Sequence, residues 1–152
     1  MQLEALYQQV IIQHYRHPHN RGALDAPDAE VHLHNPTCGD EITLHLQVRD
    51  GTIADVRFSG HGCSISQASA SMMTQRLKGK PLAEADALAV RFTEMMHGNS
   101  EAAADRKLGD LRALAGVARF PVRIRCALLA WDALSEAEKQ VRGSAAEADA
   151  AG

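Results

Sequence analysis

The chain has 152 residues with a net charge of −3, a hydrophobic share of 45% and an aromatic share of 4%. That length suits one domain with a core of its own, built from aliphatic residues and methionine. A slightly acidic balance argues against a general nucleic-acid binder, and no stretch approaches the roughly eighteen apolar residues of a membrane span. The opening Met1-Gln2-Leu3-Glu4 carries neither a basic nor an apolar leader region, and three cysteines are an odd number. Together these favour reduced thiols in the cytoplasm over a disulfide framework.

Leu3, Leu6, Val10 and then His14 or Tyr15 recur at helical spacing and predict an amphipathic helix over 3–16, ended by Pro18 and Asn20-Arg21-Gly22. The segment His14–Asn20 is basic and His-rich; it reads as a solvated loop or as a docking edge for a partner protein. From Glu30 the period changes to two. Val31 and Leu33 alternate with histidines, and Ile42, Leu44, Leu46 and Val48 alternate with polar residues. Asp50-Gly51 marks a hairpin, and Ala54, Val56 and Phe58 form the apolar face of the next strand. Pairing Val48 with Ala54 keeps the faces matched if the connection has three residues. The expectation is an antiparallel meander of three strands.

Ser64 is a candidate N-cap, with Gln67 completing a capping box, for a helix running to Lys78-Gly79. Its Ser69 and Ser71 are accompanied by no His–Asp partner pattern and read as packing residues. Pro81 opens a helix whose stripe is Ala85, Leu88, Ala89, Phe92, Met95 and Met96; both Met pairs read as core. Residues 99–107 are a polar connection, and Leu108, Leu111, Leu114 and Val117 suggest a helical turn. A final helix starts at Pro121. The domain is expected to span 1–138, with 139–152 a disordered tail.

The chemistry gathers on the three cysteines. Cys38 and Asp40 flank Gly39 and can point to one place. Cys63 follows Gly60-His61-Gly62 at the start of a helix, where the dipole favours thiolate. Cys126 follows Arg123-Ile124-Arg125. Three thiolates and a carboxylate are a complete tetrahedral set for zinc, with Cys38, Asp40, Cys63 and Cys126 as ligands. The set with zinc sums to −2, which Arg123, Arg125 and Arg119 could offset, Arg125 most directly.

Asn-Pro-Thr-Cys-Gly-Asp at 35–40, the run from Gly60 to Thr74 and Phe-Pro-Val-Arg-Ile-Arg-Cys-Ala at 120–127 resemble the three signature segments of SufU-type proteins, within the IscU/NifU-like superfamily. The likeness covers nearly all of 3–135. It implies an α+β fold: a three-stranded antiparallel sheet with helices packed on it and a metal site at one end. It also implies iron–sulfur cluster assembly. Scaffold-type relatives carry His where Arg125 stands and lack an insertion like residues 99–119, so the resemblance points to the zinc-dependent sulfurtransferase type. Cys38 then accepts persulfide sulfur from a pyridoxal-phosphate cysteine desulfurase (SufS-type), for use by downstream iron–sulfur assembly proteins. A desulfurase residue is expected to replace Cys38 at zinc during docking. The alternative is a scaffold on which the same residues hold iron or a [2Fe–2S] cluster. His61 is a second candidate for the fourth ligand position, and Arg125 a candidate docking residue.

Overall fold

A computed structural model describes the backbone of residues 2–151 and the side chains of 5–143. The helix α1 (Gln2–Arg16) leads into β1 (Ala29–Asn35), β2 (Asp40–Arg49) and β3 (Thr52–His61). Then follow α2 (Ser64–Leu77), α3 (Leu82–Met96), the short α4 (Ser100–Ala103), a 3-10 segment (Arg106–Arg119) and α5 (Pro121–Ala151). The strands form one antiparallel sheet in the order β1-β2-β3. Strict alternation puts Val31, Ile42, Leu44, Leu46, Val56 and Phe58 on the face covered by helices, all buried. Polar residues dominate the other face.

The β2–β3 connection differs from expectation. Arg49 pairs with Thr52 across a two-residue turn in which Asp50 (φ 53°) and Gly51 (φ 74°) are both left-handed, as a type I′ hairpin requires. The faces are matched further along. Gln47 pairs with Asp55 and Val48 with Ile53, so Ala54 is the extra residue of a bulge. Ile53 is therefore the buried residue, and Ala54 is exposed.

The stripe of α1 keeps Val10 and His14 and departs at Leu6. Tyr7, Val10 and Ile11 pack against the core and His14 is buried, whereas Leu6 is 55% exposed. Leu3's side chain lies outside the described residues.

Along α2, residues Ser66 to Thr74 are buried without a break. Small side chains permit this close approach, and Ser69 donates to the Ala127 carbonyl of α5 at 2.7 Å. Phe92 of α3 stacks on Trp131 of α5 with ring centroids 4.9 Å apart. Both Met pairs are core, as expected. The segment expected to be an insertion folds as α4 and the 3-10 segment, with Leu108, Leu111, Leu114 and Val117 buried.

No helix end marks the boundary expected at 138. The backbone of α5 continues through Ala151. Arg142 pairs with Asp86 at 2.8 Å and with Glu138 at 3.6 Å, while Val141 packs against the core. Extending a helix that packing has already nucleated is cheap for an Ala- and Glu-rich run. No helix among the described residues is long and apolar enough to cross a membrane.

Candidate metal centre

One end of the sheet collects the chemistry. Asn35 and Asp40 are paired across the β1–β2 hairpin, so Pro36-Thr37-Cys38-Gly39 is the loop at its tip. The Asn35 carbonyl accepts from the N–H groups of Cys38 (3.2 Å) and Gly39 (2.8 Å), and Gly39 sits at φ 71°. That left-handed turn brings the Cys38 thiol back over the start of β2. On the neighbouring strand β3 ends at His61, and Gly62 passes the chain to Cys63, the N-cap of α2. Cys126 lies inside α5 and is fully buried.

The Cys38 and Cys126 sulfurs are 3.0 Å apart. With an Asp40 carboxylate oxygen they form a group whose donor atoms all lie within 4.8 Å of one another. Cys63 lies outside that group, its sulfur 3.8 Å from Asp40 Oδ2. Sulfurs at about 2.3 Å from a tetrahedral zinc stand about 3.8 Å apart. The Cys38–Cys126 pair is thus about 0.8 Å closer than in a tetrahedral zinc site, and Cys63 stands beside the three-residue group rather than within it. Burial, reinforced by the hydrogen bond to Cys38, pushes the Cys126 thiol up. A bound cation would reverse that direction, since a coordinating thiol is deprotonated.

Asp40 has a second task. Its carboxylate is fully buried, and Oδ1 accepts the Cys63 N–H at 2.8 Å. The N-terminus of α2 is thus capped by a residue 23 positions away. The capping box expected from Ser64 and Gln67 does not form: Cys63 is the N-cap, and Ser64 is already helical. Gly62 belongs to this arrangement, because a Cβ there would collide with the Asp40 carboxylate and the Ser66 hydroxyl.

Arginine geometry corrects the sequence reading. Arg123, not Arg125, faces the thiols: Cys63 first, then Cys126, hold its guanidinium firmly protonated. In a helix Arg123 and Cys126 are three residues apart and share a face, whereas Arg125 is turned about 100° away. That spacing was the available signal. Arg125 is exposed and borders a surface cleft of about 410 Å³ with His34, Asn35, Pro36 and Asp132. His61 also turns from the centre. Its side chain is 72% exposed, and Nε2 meets Glu41 Oε2 at 2.9 Å.

A groove of about 700 Å³ opens beside Cys63, walled by Tyr7 and Ile11 of α1, by Val117 of the 3-10 segment and by Phe120, with Arg119 and Arg123 at its rim. Contrary to the sequence expectation, Ser71 does have His and Asp partners, brought in from distant elements: His14 Nδ1 lies 2.8 Å from Ser71 Oγ and Nε2 2.9 Å from Asp110. Ser71 is fully buried and also accepts the His19 N–H, so it packs rather than attacks.

The family described as NifU-like N terminal domain matches residues 6–147. Over 138 residues the chain is 49% identical to the iron-sulfur cluster assembly scaffold protein IscU of Streptococcus pyogenes serotype M1, covering 91% of this chain and 86% of that one. Over 141 residues it is 45% identical to the zinc-dependent sulfurtransferase SufU of Bacillus subtilis (strain 168), covering 93% and 95%. The crystal structure of a putative iron-sulfur cluster assembly scaffold protein for the SUF system from Fervidobacterium islandicum AW-1 superposes with a TM-score of 0.79 at 31% identity, covering 88% and 96%.

Proposed function

The chain belongs to the family of NifU-like N-terminal domains that includes IscU and SufU, and on that premise we propose that it is a zinc-dependent sulfurtransferase of iron–sulfur cluster assembly. It takes persulfide sulfur from a SufS-type cysteine desulfurase, and the accepting residue is Cys38. The observation that carries this reading is the contrast between the two sulfurs that lie 3.0 Å apart. Cys126 is sealed in α5, while Cys38 is half-buried on a four-residue hairpin tip. Only Cys38 can swing toward a donor without disturbing a helix.

Cys38, Asp40, Cys63 and Cys126 would hold the zinc. When bound, the ion keeps the thiols as thiolates and leaves no position for water. The Cys38 thiolate, once released, attacks the outer sulfur of the donor persulfide. The donor S–S bond breaks, the donor cysteine leaves as thiolate, and a new S–S bond forms at Cys38. Electrons balance without an oxidant. Arg123 carries the positive charge that offsets the anionic site. Asp40 keeps Cys63 in place through the α2 cap while Cys38 moves.

A second reading is a scaffold, favoured by the name of the Streptococcus relative at 49% identity. Thiolate and carboxylate donors serve iron as well as zinc. The resemblance of the three cysteine segments to SufU-type proteins, and the relative named zinc-dependent sulfurtransferase at 45% identity, favour sulfur transfer. The test is to incubate the anaerobically purified protein with desulfurase and cysteine, trap persulfides by alkylation and map them by mass. Sulfur on Cys38 with one zinc per chain is expected. Sulfur confined to Cys126, with Cys38→Ser still accepting and iron bound, overturns the reading in favour of the scaffold.

A further inference from the structure

We propose that the outer edge of β1 is a strand-addition site for an extended peptide segment of a partner protein, one with a lysine or arginine at its middle. The sheet has two edges, and they are treated differently. Along β3, backbone bonds tie Phe58 to Asn20 and Gly22, and Ile53 to Gly79 and Lys80. Along β1, among the described residues, no backbone–backbone bond leaves Glu30–His34 except toward β2. An edge left open in this way is a template for another strand.

The open edge faces a channel beside α5. Residues 30 to 36, in unbroken succession, line two adjoining clefts of about 570 and 410 Å³, with Asp132 common to both. Side chains alternate between the faces of a strand, so an unbroken run borders one channel only along the edge. The seven residues of β1 span about 23 Å, enough for a partner strand of ordinary length. The Asn35 end leads into the Cys38 loop, so a segment added here ends beside the cysteine centre.

Two groups indicate what the segment brings. Asn35 is 9% exposed and borders the channel; its Oδ1 accepts the Thr37 N–H at 3.2 Å, while Nδ2 has no partner among the described residues. A buried donor without an acceptor is costly, and a peptide carbonyl arriving at this end of β1 would satisfy it. Asp132, where the clefts meet, makes no ion pair among the described residues, whereas Glu30 meets His45 and Glu136 meets Lys139. Arg125, two turns earlier on α5, borders only the Pro36 end.

The segment's cation therefore belongs at its middle, opposite Asp132. On the helix-facing side Val31 is buried and Leu33 partly buried, so the segment's residues directed that way are apolar, the aliphatic stem of the cation among them. Main-chain bonds supply affinity in this mode, and alternate side chains supply specificity. Glu30, His32 and His34, exposed on the other face, guard the edge against indiscriminate pairing.

The probe is a fluorescent peptide of alternating threonine and valine, with lysine in place of the central valine, titrated into the full chain. Saturable binding by anisotropy is expected, with amide exchange slowed within Glu30–His34. Asp132→Lys changes an exposed side chain and should fold as the parent. It should lose more affinity than the roughly two- to fivefold that one exposed ion pair supplies. The same peptide N-methylated at consecutive residues keeps its charge and side chains but cannot pair at an edge, and should not bind. No saturable binding, equal binding of the N-methylated peptide, equal affinity of Asp132→Lys, or slowed exchange confined to segments other than β1 would each overturn the proposal.

Discussion

The Asp40 carboxylate accepts the backbone N–H of Cys63 at 2.8 Å, joining the first residue of β2 to the N-cap of α2. One side chain is thus both a candidate metal donor and a helix cap. The two roles can be separated. Asp40→Asn keeps an oxygen for the cap and loses the anionic donor, so it should melt near the parent temperature and release zinc faster to a chelator. Asp40→Ala should lose both, with a stability cost of about 1–2 kcal/mol. For a chain of this size that lowers Tm by about 2–8 °C. Equal chelator rates for the parent and the Asn variant would remove Asp40 from the ligand set.

The two arginines before Cys126 should behave differently, because one faces the thiols and the other a surface cleft. Arg125→Glu is expected to leave zinc content unchanged and to weaken desulfurase stimulation. Arg123→Glu places a carboxylate beside Cys63 and Cys126 and should change the rate of zinc release. Equal stimulation by the parent and Arg125→Glu would exclude Arg125 from docking.

A carboxyl pair ties α3 to α5. Burial, then the hydrogen bond to Asp86, pushes Glu138 up to about 8. Asp86 is held below the usual carboxylate range, first by the proton that Glu138 lends it and then by Arg142. Between the ordinary glutamate value of 4.5 and about 8 the folded chain keeps a proton that the unfolded chain has lost. Stability therefore falls as pH rises through that window. Glu138→Gln removes the titration and preserves a donor to Asp86. It should raise Tm by a few degrees at pH 8 and by less at pH 5. An equal effect at both pH values would refute the shared proton.

Ending the chain after Glu138 should reveal how much the continuation of α5 contributes. The cut removes Val141 from the core and Arg142 from Asp86 and Glu138. Burying one Val stabilises by about 1.5–3 kcal/mol when complete, and Val141 is partly buried. A Tm lower by a few degrees is expected in calorimetry. An unchanged melting curve would show that the residues after 138 add nothing to the folded domain.

Much of this molecule was legible in the sequence because the signals are local. Alternation in Ile42–Val48 specifies a one-sided strand, Asp50-Gly51 a tight turn, and Pro121 a helix start, each from backbone preferences within a few residues. Three cysteines and one aspartate in their motif contexts also marked the candidate centre. Tertiary structure decided what depends on phase and on distance along the chain. The bulge at Ala54, rather than the turn, sets which residue of β3 is buried. Helix rotation sends Arg123 to the thiols and Arg125 away from them. His14 meets Ser71 across 57 residues and Asp110 across 96, and Asp40 caps a helix 23 residues on. No local pattern encodes such pairs. They exist because the sheet, α1, α2 and the 3-10 segment pack together, and packing alone brings those polar groups within hydrogen-bond reach.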